Sequence, residues 1–257
     1  MLGLTLLGAC QTTQTAPSGN LSTYEGVEAT SKMQRAAVRQ RRDDQASDVI
    51  QSVFIRPSIL AANVGSALKQ EDQQAVLYEV DRQLCYELSR RFPIVSIADE
   101  QAAEVRTVIV RLEPTNQLGS GASAVAQFFN PLPLNVRAPG STGGLGIESE
   151  LLVPNSGQQI AAITWARDAT PIGTESPSFS RVGDALQLAQ PASKAVADAF
   201  ATKTRKSRKI AKPDPCQAFG PRFQITSGTL VGAVTGLYMP PNQPGQSSKR
   251  TEADTPK

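Results

Sequence analysis

The chain of 257 residues contains no histidine. That removes the side chain that most often moves protons near neutral pH, and with it the commonest zinc ligand. A hydrolase or metalloenzyme of the usual kind is disfavoured. Aromatic residues make up only 5%, so a core must be built from Val, Leu, Ile and Ala. No apolar run reaches the ~20 residues that a helix needs to span a bilayer. Neither sign of charge dominates: 26 Lys and Arg stand against 23 Asp and Glu, a net +3. That excess is too small to be the footprint of a nucleic-acid-binding protein. No cluster of metal ligands is visible. GSTGGLG (140–146) lacks the strand before and helix after that a phosphate-binding loop requires. Ser193 and Lys194 are adjacent, and neighbours on a helix point apart, so they make no nucleophile–base pair.

What is present starts at MLGLTLLGAC. Leu2 to Leu7 form a short apolar segment that ends in small residues, as a secretory signal does. Leu7-Gly8-Ala9-Cys10 resembles a lipobox, the site where a bacterial lipoprotein is cut and its cysteine acylated. By that resemblance Cys10 is the first residue of the mature chain and carries the lipid. Gln11 follows, not Asp, which resembles the outer-membrane sorting pattern of Gram-negative lipoproteins. Two or more acyl chains hold a protein on a membrane where a single chain does not. Signals usually open with a basic residue, and none precedes Leu2; the expectation is a start codon further upstream. QTTQTAPSGN (11–20) reads as an uncharged, flexible spacer.

With Cys10 lipidated, Cys85 and Cys216 remain. In an oxidising periplasm two leftover cysteines suggest a disulfide; two separate buried thiols are the alternative. A bridge would staple the segment after the last helix onto the first. By the chain-entropy argument closing so long a loop is worth up to ~5 kcal/mol.

Along the chain, residues 11–47 read as tether and irregular lead-in. DVIQSVFIRP (48–57) reads as a first strand ended by Pro57. Leu77, Val80, Leu84 and Leu88 recur at helical spacing within 70–91, with Cys85 flanking the stripe. PIVSI (93–97) and VRTVIVRLEP (105–114) are further strands; in the second, Val108, Val110 and Leu112 are expected to face one way and Ile109 and Arg111 the other. GLGIESELLVPNSGQQIAAITWARD (144–168) is a hairpin about Asn155-Ser156-Gly157. Its apolar pattern pairs Leu151 with Ala161, Ser149 with Ile163 and Ile147 with Trp165. A last helical region spans 181–205, with a break expected near Gln190 and the main helix running from Pro191. One crossover helix requires a parallel pair, and the other strands are free to be antiparallel. The expected fold is α+β: two layers, a mixed sheet of about five strands with two helices on one face.

Three features are candidates for chemistry. The long connection 113–144 carries Leu118, Val125, Phe128, Phe129, Leu132 and Leu134 among glycines and prolines. It reads as a partner- or membrane-touching flap, or else as a lid on the sheet's second face. KTRKSRKIAK (203–212) presents Lys203, Arg205, Lys206, Arg208 and Lys209 to an anionic surface, or else ends a helix and complements its dipole. Glu148 and Glu150 point the same way on one strand. Paired carboxylates suit acid–base work on a sugar, although a solvated strand face is the expectation. FQITSGTLVGAVTGLYMPP (223–241) mixes apolar residues with glycine, and the tail beyond it is disordered by composition.

NLSTYEGV (20–27), a strand ending in Pro, EDQQAVLYEVDRQLCYELSRRFPIV (71–95) and SFSRVGDA (178–185) occur in that order. The arrangement resembles the bacterial lipoproteins of the domain of unknown function 3313 family, over about residues 19–200. The resemblance implies an envelope-anchored α/β domain with no assigned activity. The expected organisation is a signal peptide at 1–9, a lipidated tether and lead-in at 10–47, the α/β domain at 48–205 and a mostly disordered extension at 206–257. The expected function is non-catalytic binding or scaffolding on the periplasmic face of the outer membrane. No cofactor, metal or nucleic acid is expected; partners are the membrane and a protein partner or second copy. The alternative is an enzyme acting on envelope carbohydrate or lipid through carboxylates.

Overall fold

The computed structural model describes residues 16–30, 36–116, 135–136, 142–170, 172–173, 178 and 180–219. In chain order the strands and helices are β1 (Glu28–Ala29), β2 (Ala37–Arg42), α1 (Asp44–Asp48), β3 (Ser52–Ile55), β4 (Ile59–Leu60), α2 (Gln70–Ser89), β5 (Ile94–Val95), β6 (Ala102–Glu113), β7 (Asn135–Val136), β8 (Gly144–Leu152), β9 (Gln159–Asp168), β10 (Ile172–Gly173) and α3 (Gly183–Phe200). The main sheet has eight strands in the order β1-β2-β9-β8-β6-β3-β5, with β4 also on β6; β10 and β7 pair separately.

The β8–β9 hairpin forms the centre. Its turn places Asn155 (φ 63°) and Gly157 (φ 66°) in the left-handed region that these residues tolerate best. Ile147 pairs with Trp165, Ser149 with Ile163 and Leu151 with Ala161, the register that the apolar alternation predicts. The β3–α2–β5 unit supplies the expected crossover, and β3 is parallel to both β5 and β6. Both long helices pack on one face. Val76, Val80, Leu84 and Leu88 of α2 join Leu188, Ala192, Val196 and Phe200 of α3 over Val105, Ile109, Ile147, Leu151 and Ile163 of the sheet. Burying each large aliphatic side chain contributes about 1.5–3 kcal/mol.

Several expectations are corrected. The sheet has eight strands rather than about five, because β1 and β2 form within the lead-in and β4 follows Pro57. AVRQRR forms β2, antiparallel to β9 from Ala37↔Ala166 to Arg42↔Ala161. Its arginines satisfy distant acceptors. Arg41 donates to Gln159, and Arg42 to the carbonyls of Asp198, Ala199 and Ala201, closing the open C-terminal end of α3. The domain therefore starts well before residue 48; residues 44–48 form α1, and the strand expected over 48–57 is confined to Ser52–Ile55.

Next, α3 runs unbroken through Pro191. An interior proline costs about 3 kcal/mol, and burial of Leu186, Leu188 and Ala189 before it and of Val196 and Phe200 after it outweighs that cost. A bulge in β6 between Ile109 and Arg111 reverses the alternation, so Ile109 and Leu112 both enter the core. Finally, α3 ends at Phe200 and residues 203–212 are not helical. No described helix is long and apolar enough to cross a membrane.

Candidate functional site

β8 alternates across the sheet. Leu145, Ile147 and Leu151 enter the core, which sends Glu148 and Glu150 to the face opposite the helices. A solvated carboxylate pair is expected there. Both side chains are instead buried, with residue exposures of 1% each, because the segment from residue 16 to β1 lies across them as a strap. The Ser18 amide and hydroxyl donate to Glu148 at 3.1 and 2.5 Å, and the Tyr24 hydroxyl donates to it at 2.6 Å. The same Tyr24 oxygen accepts from the amides of Gly19, Asn20 and Leu21, so one phenol organises the turn of the strap.

Glu150 is held in the same manner. It accepts from the Ser22 amide at 2.8 Å, the Ser22 hydroxyl at 3.2 Å and Gln159 Nε2 at 2.9 Å. Arg106 from β6 forms an ion pair with it at 2.7 Å and also donates to Ser22 Oγ. Leu21 and Val27 of the strap pack on Ala162 of β9, an apolar seal beside the carboxylates. A buried carboxylate is tolerated when its lone pairs are filled by donors or by a counter-charge; Glu148 has three donors, and Glu150 has donors and the Arg106 guanidinium. A cleft of about 160 Å³ remains between the strap and β6, lined by Asn20, Leu21, Arg56, Arg106, Glu148 and Glu150 among others. The two acids do share a cleft, but all four of their carboxylate oxygens already accept hydrogen bonds.

A second polar knot lies at the other end of β6 and β8. Asp184, in the first turn of α3, accepts from Thr115 Oγ1 at 3.0 Å and from the Gly143 amide at 2.7 Å. It thus ties together the two ends of the long 113–144 connection.

The region matched by the family described as protein of unknown function (DUF3313) is residues 16–196, more than half of the chain. The chain belongs to this family. The match takes in Ser18 and ends within α3, so the DUF3313 unit includes the strap contacts, the carboxylates and the Asp184 knot. No curated protein matches the chain. Solved structures of similar backbone include two dodecamers of PelC from Paraburkholderia phytofirmans. A single-site variant is 9% identical, covering 65% of this chain and 98% of that chain at a TM-score of 0.39. The other is 8% identical, covering 68% and 99% at 0.38.

Outside the DUF3313 match, Cys216 is joined to Cys85 of α2 by a disulfide, the pairing expected of the two cysteines other than Cys10. Tyr78 supports the staple: its ring packs against Phe219 and its hydroxyl donates to the Phe219 carbonyl. On the same helix Arg82 and Glu79 form a buried two-bond ion pair, with the guanidinium over the Tyr86 ring. Burial opposes the charge on Arg82, yet the Glu79 carboxylate holds its pKa above the ordinary arginine value.

Of the basic residues, Lys203, Lys206, Arg208 and Lys209 are exposed. Arg205 is a correction. It turns inward, donates to the carbonyls of Ser47, Asp48 and Ile50, and sits 4.5 Å over the Phe92 ring. Ser193 is buried, while Lys194 reaches out to Asp198, so these neighbours do point apart. Cys10 and the loop positions Leu118, Val125, Phe128, Phe129, Leu132 and Leu134 lie outside the described residues, as does the 223–241 segment. Among the described residues no group of three His, Cys, Asp or Glu is placed to hold a metal ion.

Proposed function

We propose that this DUF3313 protein is a lipid-anchored envelope protein, held through Cys10 on the periplasmic face of the outer membrane, and that it works by binding or scaffolding rather than by catalysis. The observation that carries the reading is Leu7-Gly8-Ala9-Cys10 followed by an uncharged spacer, whose far end meets the domain at Ser18 on Glu148. Two further features support it. A disulfide between Cys85 and Cys216 suits an oxidising compartment. The paired acids are occupied as strap anchors, so their placement serves attachment of the tether. On this reading the protein's partners are the bilayer, through its lipid, and an envelope protein or a second copy.

The test is labelled-palmitate incorporation and cell fractionation of the native chain and of Cys10→Ala. The expected result is labelled native protein in the outer-membrane fraction, with the variant unlabelled and released. Native protein that stays uncut, unlabelled and in the cytosolic supernatant overturns the proposal.

A further inference from the structure

From Asp198 to Asp214 the chain has no acidic residue, and between them stand Lys203, Arg205, Lys206, Arg208, Lys209 and Lys212. The segment is not a helix end, so its cations do not complement a helix dipole from within the helix. It is an irregular stretch, turned at residues 202–206 and mounted on the domain at several points. Arg205 fastens its start by three bonds to carbonyls around α1 and by its stack on Phe92. Arg91 donates to the Arg205 carbonyl, and the Arg208 amide donates to the carbonyl of Arg90 at the end of α2. The disulfide to Cys85 fastens its far end.

One cation is therefore used as a bolt, and the others are left outside. Lys203, Lys206, Arg208, Lys209 and Lys212 are all exposed. Arg90 extends the patch from α2, its side chain half exposed and 3.9 Å from Glu87. The bordering acid Asp48 already accepts from the hydroxyls of Thr202 and Thr204. In the midst of the lysines Ile210 is 38% exposed, one of four large apolar side chains that stand out among the described residues. A fixed cluster of cations around an exposed isoleucine has the composition of a surface for anionic headgroups. The charges draw it to the lipid phosphates, and the apolar side chain enters the boundary beneath them. Because the segment is fastened at both ends, little conformational freedom remains to be lost on binding.

We infer that residues 203–212 with Arg90 form a docking face for an anionic phospholipid bilayer, a second membrane contact beside the anchor. The inference rests on the envelope reading above for its biological setting. The physical contact is measured without the anchor.

The experiment uses the full chain carrying Cys10→Ser, which cannot be acylated, with its disulfide formed. Sedimentation with vesicles of phosphatidylcholine alone is compared with vesicles containing phosphatidylglycerol. Binding is expected only to the anionic vesicles, weakened by high salt and not competed by inorganic phosphate. The triple variant K206Q/K209Q/K212Q alters exposed residues, so its thermal midpoint is expected to stay unchanged. Its partition onto the anionic vesicles is expected to fall about a hundredfold, roughly fivefold per charge. Ile210→Ser is expected to weaken binding without changing its dependence on salt. Equal binding to both vesicle types, no vesicle binding at all, binding only to an acidic peptide, or a triple variant that binds as well as its parent each overturns the inference. Failure here leaves palmitate labelling at Cys10 untouched, so the two proposals fail separately.

Discussion

The Ser18 hydroxyl donates to Glu148 Oε2 at 2.5 Å, across 130 residues of sequence. This contact fastens the N-terminal strap to the middle of the sheet, and Tyr24 completes it from the other side. Glu148→Gln puts an NH₂ group where donors converge and removes the negative charge. Leaving buried hydrogen-bonding groups without partners costs about 1–3 kcal/mol. The expected result is a loss of that size in chemical denaturation, together with faster amide exchange at Ser18 and Ser22. Tyr24→Phe is expected to lose about 1 kcal/mol. The two changes should be less than additive because they break one shared network. Additive losses with unchanged exchange at Ser18 would show that the strap is held elsewhere.

Cys85 and Cys216 enclose a loop with a sequence separation of 131. Replacing both by Ser is expected to cost about 2–5 kcal/mol. It should also expose residues 203–219 to protease while the sheet stays resistant, because that segment's other fastenings are the few bonds of Arg205, Arg208 and Phe219. The measurement is a thermal midpoint with limited proteolysis, beside an alkylation gel shift of the unreduced native protein. Two alkylated sulfurs in the native chain would refute the bond.

Asp81 on α2 accepts the Ser58 amide at 2.9 Å. Burial raises its pKa above the ordinary aspartate value, and the Ser58 hydrogen bonds offset part of that rise. A carboxyl whose folded pKa lies above its unfolded value favours folding below the unfolded pKa, and that contribution is lost as pH rises through the folded pKa. At neutral pH the ionised group is therefore a burden. Asp81→Asn keeps an oxygen for the Ser58 amide and carries no charge. It is expected to melt higher than the native protein at neutral pH, with the advantage vanishing as pH falls into the ordinary carboxylate range. Melting curves that stay parallel across that range would exclude the effect.

The elements readable from sequence are those whose burial is written in their own period. Ile147, Leu151, Ile163 and Trp165 alternate, and only one register buries them together. Val80, Leu84 and Leu88 recur at helical spacing, and α2 follows. β2 is hidden because AVRQRR carries a single large apolar side chain, Val38, while Arg42 acts on carbonyls more than 150 residues away. Local pattern does not encode such distant acceptors. Glu148 and Glu150 misled for the same reason. Alternation places them correctly on the face away from the helices, yet what covers that face arrives from Ser18, Ser22 and Tyr24. Those residues lie within or beside NLSTYEGV, one of the pieces that carry the family resemblance, and the signal was the run of hydroxyls in it. The β6 bulge and the unbroken α3 record tertiary packing prevailing over local rules.

On one edge β2 meets the nearby β1, and on the other it meets β9, which lies more than 100 residues later in the chain. A nascent polypeptide emerges at about 5–20 residues per second, so β2 waits on the order of ten seconds for the strand it must join. Until then β2 has only the short β1 beside it, and the strap lacks the carboxylates of β8 that hold it. The strap and β2 are thus made before β8 and β9 and joined to them afterwards. The N-terminal edge of the sheet closes only after the hairpin at its centre has been delivered.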